Sequence, residues 1–334
     1  MKKILITGAN SYIGMAVEKW LNKESDKYIV DTVDMIDGSW RERSFAEYDV
    51  VYHVAGLAHA DVGKVSEERK AFYYKINTDL AVETAEKAKS EGVKQFIFMS
   101  SMIIYGESGG FGQQKVINRD TKPCPANFYG DSKWQADQKI QKLMDGQFKV
   151  AIVRPPMIYG KGSKGNYPTL AKMAKKLPVF PKVDNQRSML HIDNLCEFIR
   201  LLIVNEDSGI FFPQNAEYTK TCEMVRMISE CVGKCIWITS LLTPFVWIAS
   251  KVPGKISSLV NKAFGNLVYD KEMSIYQGGN YQLGDATRLA HSIRVITEQD
   301  MLKMANNGRR YFEEHFYKQK LMDDMDRYFE VDKL

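Results

Sequence analysis

The chain has 334 residues, 46 Lys and Arg against 41 Asp and Glu, and a formal charge of +5. That length is too great for one small core and suits two packed lobes, and the mixed charge with no lysine/arginine run argues against a nucleic-acid partner. The five cysteines are scattered without CxxC spacing, so reduced structural thiols are expected and no metal site.

The N-terminal MKKILITGAN carries an apolar run too short for a signal peptide, which leaves a cytoplasmic location as the expectation. Its KKILITG part suits a buried parallel strand. In YIGMAVEKWLNKE, Ile13, Val17, Trp20 and Leu21 share one helical face. YIVDTVDM, DVVYHVAG, VKQFIFMSS and KVAIVRPP read as four more buried strands. Between the last three lie two amphipathic, glycine-closed helices, YYKINTDLAVETAEKAKSEG and YGDSKWQADQKIQKLMDG. This alternation predicts an α/β fold, a Rossmann-type doubly wound parallel sheet.

After residue 160 the pattern loosens. YPTLAKMAKK, IDNLCEFIRLLIVNE and TCEMVRMISECVG read as helices and GIFFPQ as a strand. TEQDMLKMANNGRRYFEEHF reads as a helix capped by Thr297. The expected division is a sheet domain over 1–160, with 189–213 returning to it, and a smaller, mainly helical lobe over 161–334. The longest apolar stretch, IWITSLLTPFVWIAS at 236–250, is broken by Pro244 and is shorter than the roughly 20 residues that span a bilayer. Lys234, Lys251, Lys255 and Lys262 flank it, as a membrane-surface segment would require, but a pair of buried helices is the expectation.

Where the first strand meets the first helix stands TGANSYIG. Gly8 and Gly14 suit a tight turn and close helix–strand packing, and the helix N-terminus offers amides to a pyrophosphate. Ser11 stands where the common pattern has its middle glycine. A carboxylate after the second strand would accept hydrogen bonds from an adenosine ribose. Asp34 is the first choice, with Asp31 and Asp37 as rivals. No arginine follows immediately, which favours NAD over NADP.

In NFYGDSKW, Tyr129 and Lys133 are four residues apart, so on a helix they share a face. An ammonium there would lower the phenol from its ordinary pKa of about 10, making it usable as a base. Taken alone, the pair reads rather as a solvated helix face.

TGANSYIG, DVVYHVAG, INTDLAVETAEKA, FIFMSSMIIYGE, FYGDSK and VRPPMIYGKG, in this order, resemble the extended short-chain dehydrogenase/reductase family, and within it the NAD-dependent nucleotide-sugar epimerase/dehydratase group. The resemblance implies an NAD-binding first domain and a substrate-binding second lobe. It implies Ser101, Tyr129 and Lys133 as the catalytic set, and Gly8, Ser11, Tyr12, Ile13 and Gly14 as the pyrophosphate turn. Asp37 matches the adenine-contacting aspartate. Ala55, Gly56, Asn77 and Pro156 would line the cofactor, with Pro156 beside the nicotinamide. The stretch from Asp34 to Asp49 is short for the family's helix plus strand. A homodimer through helices near 71–91 and 129–145 is implied as well.

Sugar dehydratases of the family place an Asp-Glu pair after the hydroxyl residue; here Met102 and Ile103 stand there, and neither exchanges a proton. The resemblance therefore implies a UDP-hexose 4-epimerase, with a UDP-4-keto-6-deoxy-sugar reductase as the alternative and a non-catalytic NAD(P)-sensing protein as the third. In residues 160–195, Asn166 would face the uridine or sugar and Arg187 the diphosphate, whose oxygens match a guanidinium fork. Lys172, Lys175 and Lys176 read as a solvated face.

Overall fold

Six of the apolar runs pair into one parallel sheet in the computed structural model, which describes residues 1–58, 65–160, 162–163, 166–231 and 233–275. The chain runs β1 (Lys2–Thr7), α1 (Tyr12–Leu21), β2 (Tyr28–Val33), β3 (Val50–His53), α2 (Glu67–Tyr74), α3 (Leu80–Ser90) and β4 (Gln95–Met99). It continues through β5 (Val116–Ile117), α4 (Phe128–Gln141), β6 (Lys149–Val153), β7 (Met157–Tyr159), α5 (Asn166–Lys176), β8 (Val179–Pro181) and β9 (Met189–His191). Then come α6 (Ile192–Asn205), β10 (Gly209–Phe211), α7 (Thr221–Cys231), β11 (Trp237–Thr239), α8 (Thr243–Lys251), α9 (Lys255–Phe264) and β12 (Val268–Tyr269).

The sheet order is β10-β6-β4-β3-β1-β2. β2 and β3 flank β1 on opposite sides, so the winding reverses there and opens a crevice at the C-terminal strand ends. The short 34–49 connection holds only a 3-10 turn at Ser39–Arg41, and it crosses by burying Trp40 and Phe45 under the sheet. Alternation along β1 serves both faces. Ile4 and Ile6 point to a core with Val17, Leu195 and Ile199, while Leu5 points to one with Ala85, Phe96 and Ile140. Fully buried strands of this kind need apolar residues on both sides, which is why they read as continuous runs. GIFFPQ supplies β10, which pairs parallel with β6.

The second lobe has its own core, in which α5, α7, α8 and α9 pack over Phe180, Val225 and Phe264. The 236–250 stretch corrects the expectation of two buried helices. It forms β11, a 3-10 turn and the single helix α8, and Trp237, Leu241 and Phe245 are 63%, 70% and 68% exposed. Val246 reaches the core, but α8 lies at the edge of the lobe, so its outer face meets no covering element among the described residues. Among the described residues no helix is long and apolar enough to cross a membrane. The helix expected near the C-terminus lies outside the described residues.

Candidate active site

Ser101 follows β4 and caps a 3-10 turn, Met102–Tyr105, accepting from the Ile103 amide at 3.3 Å. Asn127 caps α4 by accepting from the Gly130 amide at 3.0 Å, which puts Tyr129 in the first turn and Lys133 one turn later. A Cβ on Gly130 would lie 3.0 Å from the Ile103 carbonyl, so the bare glycine lets the start of α4 close over the Ser101 turn. The Pro155 carbonyl accepts from Met102 at 2.9 Å, tying this turn to the loop that carries the buried Pro156.

Lys133 is 6% exposed, and its ammonium donates to the Met99 carbonyl at 3.0 Å. A Cβ on Gly56 would stand 3.0 Å from that ammonium and 3.0 Å from Asn77 Oδ1, so the amine lies directly against the chain leaving β3. Asn77 sits in a π-helical turn, Lys75–Asp79, a distortion common at functional sites. Its Oδ1 accepts from the Leu57 amide at 2.7 Å, while Nδ2 donates to the Leu57 carbonyl and to Ser132 Oγ, both at 3.1 Å.

Burial pushes Tyr129 up to about 12; the Ser101 hydroxyl pulls it back down, and Tyr73, edge-on with ring centroids 6.2 Å apart, adds to the rise. Burial lowers Lys133 to about 8, opposed by the carboxylate of Asp137. The expected lowering of the phenol by Lys133 is therefore not visible in the ligand-free chain. Without ligand, desolvation of the phenolate outweighs its neighbours, and the amine spends a hydrogen bond on Met99.

The sequence reading missed the support beneath this pair. Asp137, fully buried one turn beyond Lys133, accepts from Ser100 Oγ at 2.7 Å and from Arg154 Nε and Nη2 at 2.9 and 2.7 Å. The Arg154 Nη1 donates to the Tyr105 hydroxyl at 2.8 Å. The available signal was the spacing, since an acid four residues after Lys133 shares its helix face.

At the other end of the crevice, Gly8 has φ +88°, and a Cβ there would stand 2.9 Å from the backbone of Ala55. Only glycine fits that left-handed turn, pressed against the end of β3. Ser11 Oγ accepts from the Gly14 amide at 3.1 Å and so caps α1, a role the usual glycine could not perform. Tyr12 and Ile13 open α1, where helix N–H groups point out toward an anion.

Thr7 pairs with Val33, which sets Asp34 beside Gly8. Its exposed carboxylate accepts from the Ile36 amide at 2.9 Å. Asp37 instead accepts from the Ser39 amide and hydroxyl at 3.0 and 2.7 Å, and these bonds lower its pKa. Asp31 is taken by Tyr48 at 2.6 Å and Arg43 at 3.2 Å, while Arg41 is paired with Glu83. Both nearby arginines are thus committed to carboxylates. The glycine turn, the helix N-terminus and the carboxylate of Asp34 fit a dinucleotide.

Arg187 bridges Thr219 and Leu267 and donates to the Lys262 carbonyl at the end of α9. Burial lowers its pKa, and it has no ion pair among the described residues. Asn166 begins α5, but its side chain lies outside what is described.

A model of the NAD dependent epimerase/dehydratase family matches residues 4–211. The UDP-glucose 4-epimerase of Vibrio cholerae is 31% identical over 294 residues, covering 80% of this chain and 87% of that protein. The N-acetyl-alpha-D-glucosaminyl-diphospho-ditrans,octacis-undecaprenol 4-epimerase of Escherichia coli O157:H7 is 26% identical, covering 62% of this chain and 64% of that one. Among solved structures, dTDP-4-dehydrorhamnose reductase from Bacillus anthracis with NADP has a TM-score of 0.61 at 20% identity, covering 81% of this chain and 91% of that one. UDP-glucuronic acid 4-epimerase from Bacillus cereus with NAD has a TM-score of 0.57 at 20% identity, covering 71% and 87%. The last two likenesses concern the fold.

Proposed function

Because the chain belongs to the NAD-dependent epimerase/dehydratase family, we propose that it is a nucleotide-sugar 4-epimerase acting on a UDP-hexose. One observation supports this reading: the Ser101 hydroxyl bonds to Tyr129, Lys133 follows one turn later on α4, and the non-titratable Met102 and Ile103 come after Ser101. By resemblance to the family's dehydratases, an acid pair at those positions would serve dehydration; the two apolar side chains here argue against it.

Gly8, Ser11, Tyr12, Ile13 and Gly14 would hold the dinucleotide diphosphate, Asp34 the adenosine ribose, with Asp37 shaping the adjoining turn. Ala55, Gly56, Asn77 and Pro156 would line the rest. Bound NAD supplies reversible hydride acceptance. Tyr129 takes the proton of the C4 hydroxyl, and Ser101 holds that oxygen. With NAD bound, the Lys133 ammonium and the positive nicotinamide ring would both favour the phenolate. Arg187 anchors the diphosphate, so the hexose can turn over while its nucleotide end stays fixed. A homodimer through α2, α3 and α4 and a cytoplasmic location belong to the same proposal.

A second substrate class is favoured by the exposed apolar face of α8 and α9, because α9 also holds Arg187 through the Lys262 carbonyl. Given the Escherichia coli relative, that class is a sugar on a polyprenyl diphosphate.

The test is incubation of purified protein, without added cofactor, with UDP-glucose, UDP-GlcNAc and polyprenyl-diphosphate-GlcNAc. Interconversion with the 4-epimer of either class is the expected result. Inertness toward all three, with NAD(P)H consumed on a 4-keto sugar, would establish the 4-ketoreductase instead. Turnover of neither kind, despite bound nucleotide, would leave the NAD(P)-sensing role.

A further inference from the structure

The outer face of the second lobe is apolar along two helices. Leu241, Phe245, Ile248 and Val252 recur at helical spacing along and beyond α8, and Ile256 and Leu259 extend the stripe on α9; each is between 40% and 70% exposed. The opposite sides of the same helices are apolar too, since Val246, Val260 and Phe264 pack into the lobe's core. A helix apolar on two sides leaves one side to be covered from outside.

The charge around the stripe says what covers it. From Cys231 to Tyr269 the sequence contains lysines and no Asp or Glu, in a chain that holds 41 acidic residues overall. Lys251 at the end of α8 and Lys262 on α9 are exposed. Trp237 and Trp247, 63% and 53% exposed, add the amphipathic rings that favour the level of lipid headgroups. Both helices are too short to span a bilayer, at 9 and 10 residues.

We propose that the α8–α9 hairpin seats this protein on the anionic leaflet of a lipid bilayer, its apolar stripe in the headgroup–acyl boundary and its lysines over acidic phospholipid headgroups. The hairpin lies on the membrane and does not cross it. The Lys262 carbonyl on α9 receives the Arg187 guanidinium, so the docked helix also borders the diphosphate anchor proposed above. That link rests on the reading of Arg187; the docking does not.

The experiment is sedimentation of the full chain with vesicles of phosphatidylcholine containing phosphatidylglycerol, and with vesicles of phosphatidylcholine alone, while tryptophan emission is followed. Expected are binding and a blue shift with the anionic vesicles, weaker by at least about tenfold with the neutral ones or at high salt. The double variant Phe245→Ser/Leu259→Ser is expected to lose about tenfold or more of this binding with its thermal midpoint unchanged, and Lys251→Glu to lose several-fold. Failure of the wild-type chain to bind anionic vesicles would overturn the proposal. So would binding that the double variant retains, or a solution dimer that the double variant splits, which would make a second copy the occupant.

Discussion

The buried network under the active site and the α8–α9 hairpin depart from the inside–outside rule in opposite senses. In the first, a carboxylate and a guanidinium are 0% and 4% exposed. Their principal bonding positions are filled from within the chain: Asp137 by Ser100, Gln141 and Arg154, and Arg154 by Asp137 and Tyr105. In the second, large apolar groups face water and the chain offers them nothing among the described residues. A departure completed internally belongs to the framework that holds α4 in place. One left open points outward, to something the protein meets.

The comparison breaks most visibly at Tyr129. Tyr129→Phe is expected to lower turnover by about a thousandfold, within the range of a positioned acid–base, with an unchanged circular dichroism spectrum. Turnover near that of the wild type would remove the phenol from the chemistry.

Asp137→Ala strips the buried guanidinium of its partner and is expected to cost about 3–5 kcal/mol in urea unfolding. Adding Arg154→Met should return most of that loss, because an apolar pair leaves no uncompensated charge. Gly8→Ala forces a Cβ to 2.9 Å from Ala55 at a left-handed φ. It is expected to cost about 1–3 kcal/mol and to empty the protein of co-purifying nucleotide.

The smallest effect has the opposite sign. The Lys133 pKa falls from 10.5 to about 8 on folding, so the unfolded chain binds more protons between those values and stability rises with pH across that window. Below pH 8 the penalty is present in full. Lys133→Met should therefore raise the thermal midpoint at pH 7 by about 2–4 °C, while lowering turnover and NAD retention; the gain should fade above pH 10. A lowered midpoint at pH 7 would mean that the bond to Met99 outweighs the desolvation.

The sheet was legible because its strands are buried on both faces and their apolar runs end at turn residues, as at Gly8 and Gly56. The Tyr129–Lys133 spacing was legible because α4 begins with a strong cap at Asn127. What Ser11 does was not, since the bond from the Gly14 amide to its side chain is a cap that glycine-pattern reasoning does not consider. Asp31, Asp34 and Asp37 could not be told apart by spacing; the difference lies in Tyr48, Arg43 and Ser39, which occupy two of them through folded contacts. The Asp137–Arg154 pair joins a helix to a strand end, so the spacing from Lys133 points to Asp137 but not to its partner. In 236–250 the apolar content was evident, but one sequence cannot show that only the Val246 side is covered.

The central claim is that filling the crevice, and not the apo protein's own charges, ionises Tyr129. Ultraviolet difference titration of the nucleotide-free and NAD-saturated protein, each beside Tyr129→Phe, measures this directly. The account predicts no Tyr129 phenolate in the free protein until well above pH 10, and one phenolate below pH 9 with NAD bound that the Phe variant lacks. Identical titrations with and without NAD would contradict it.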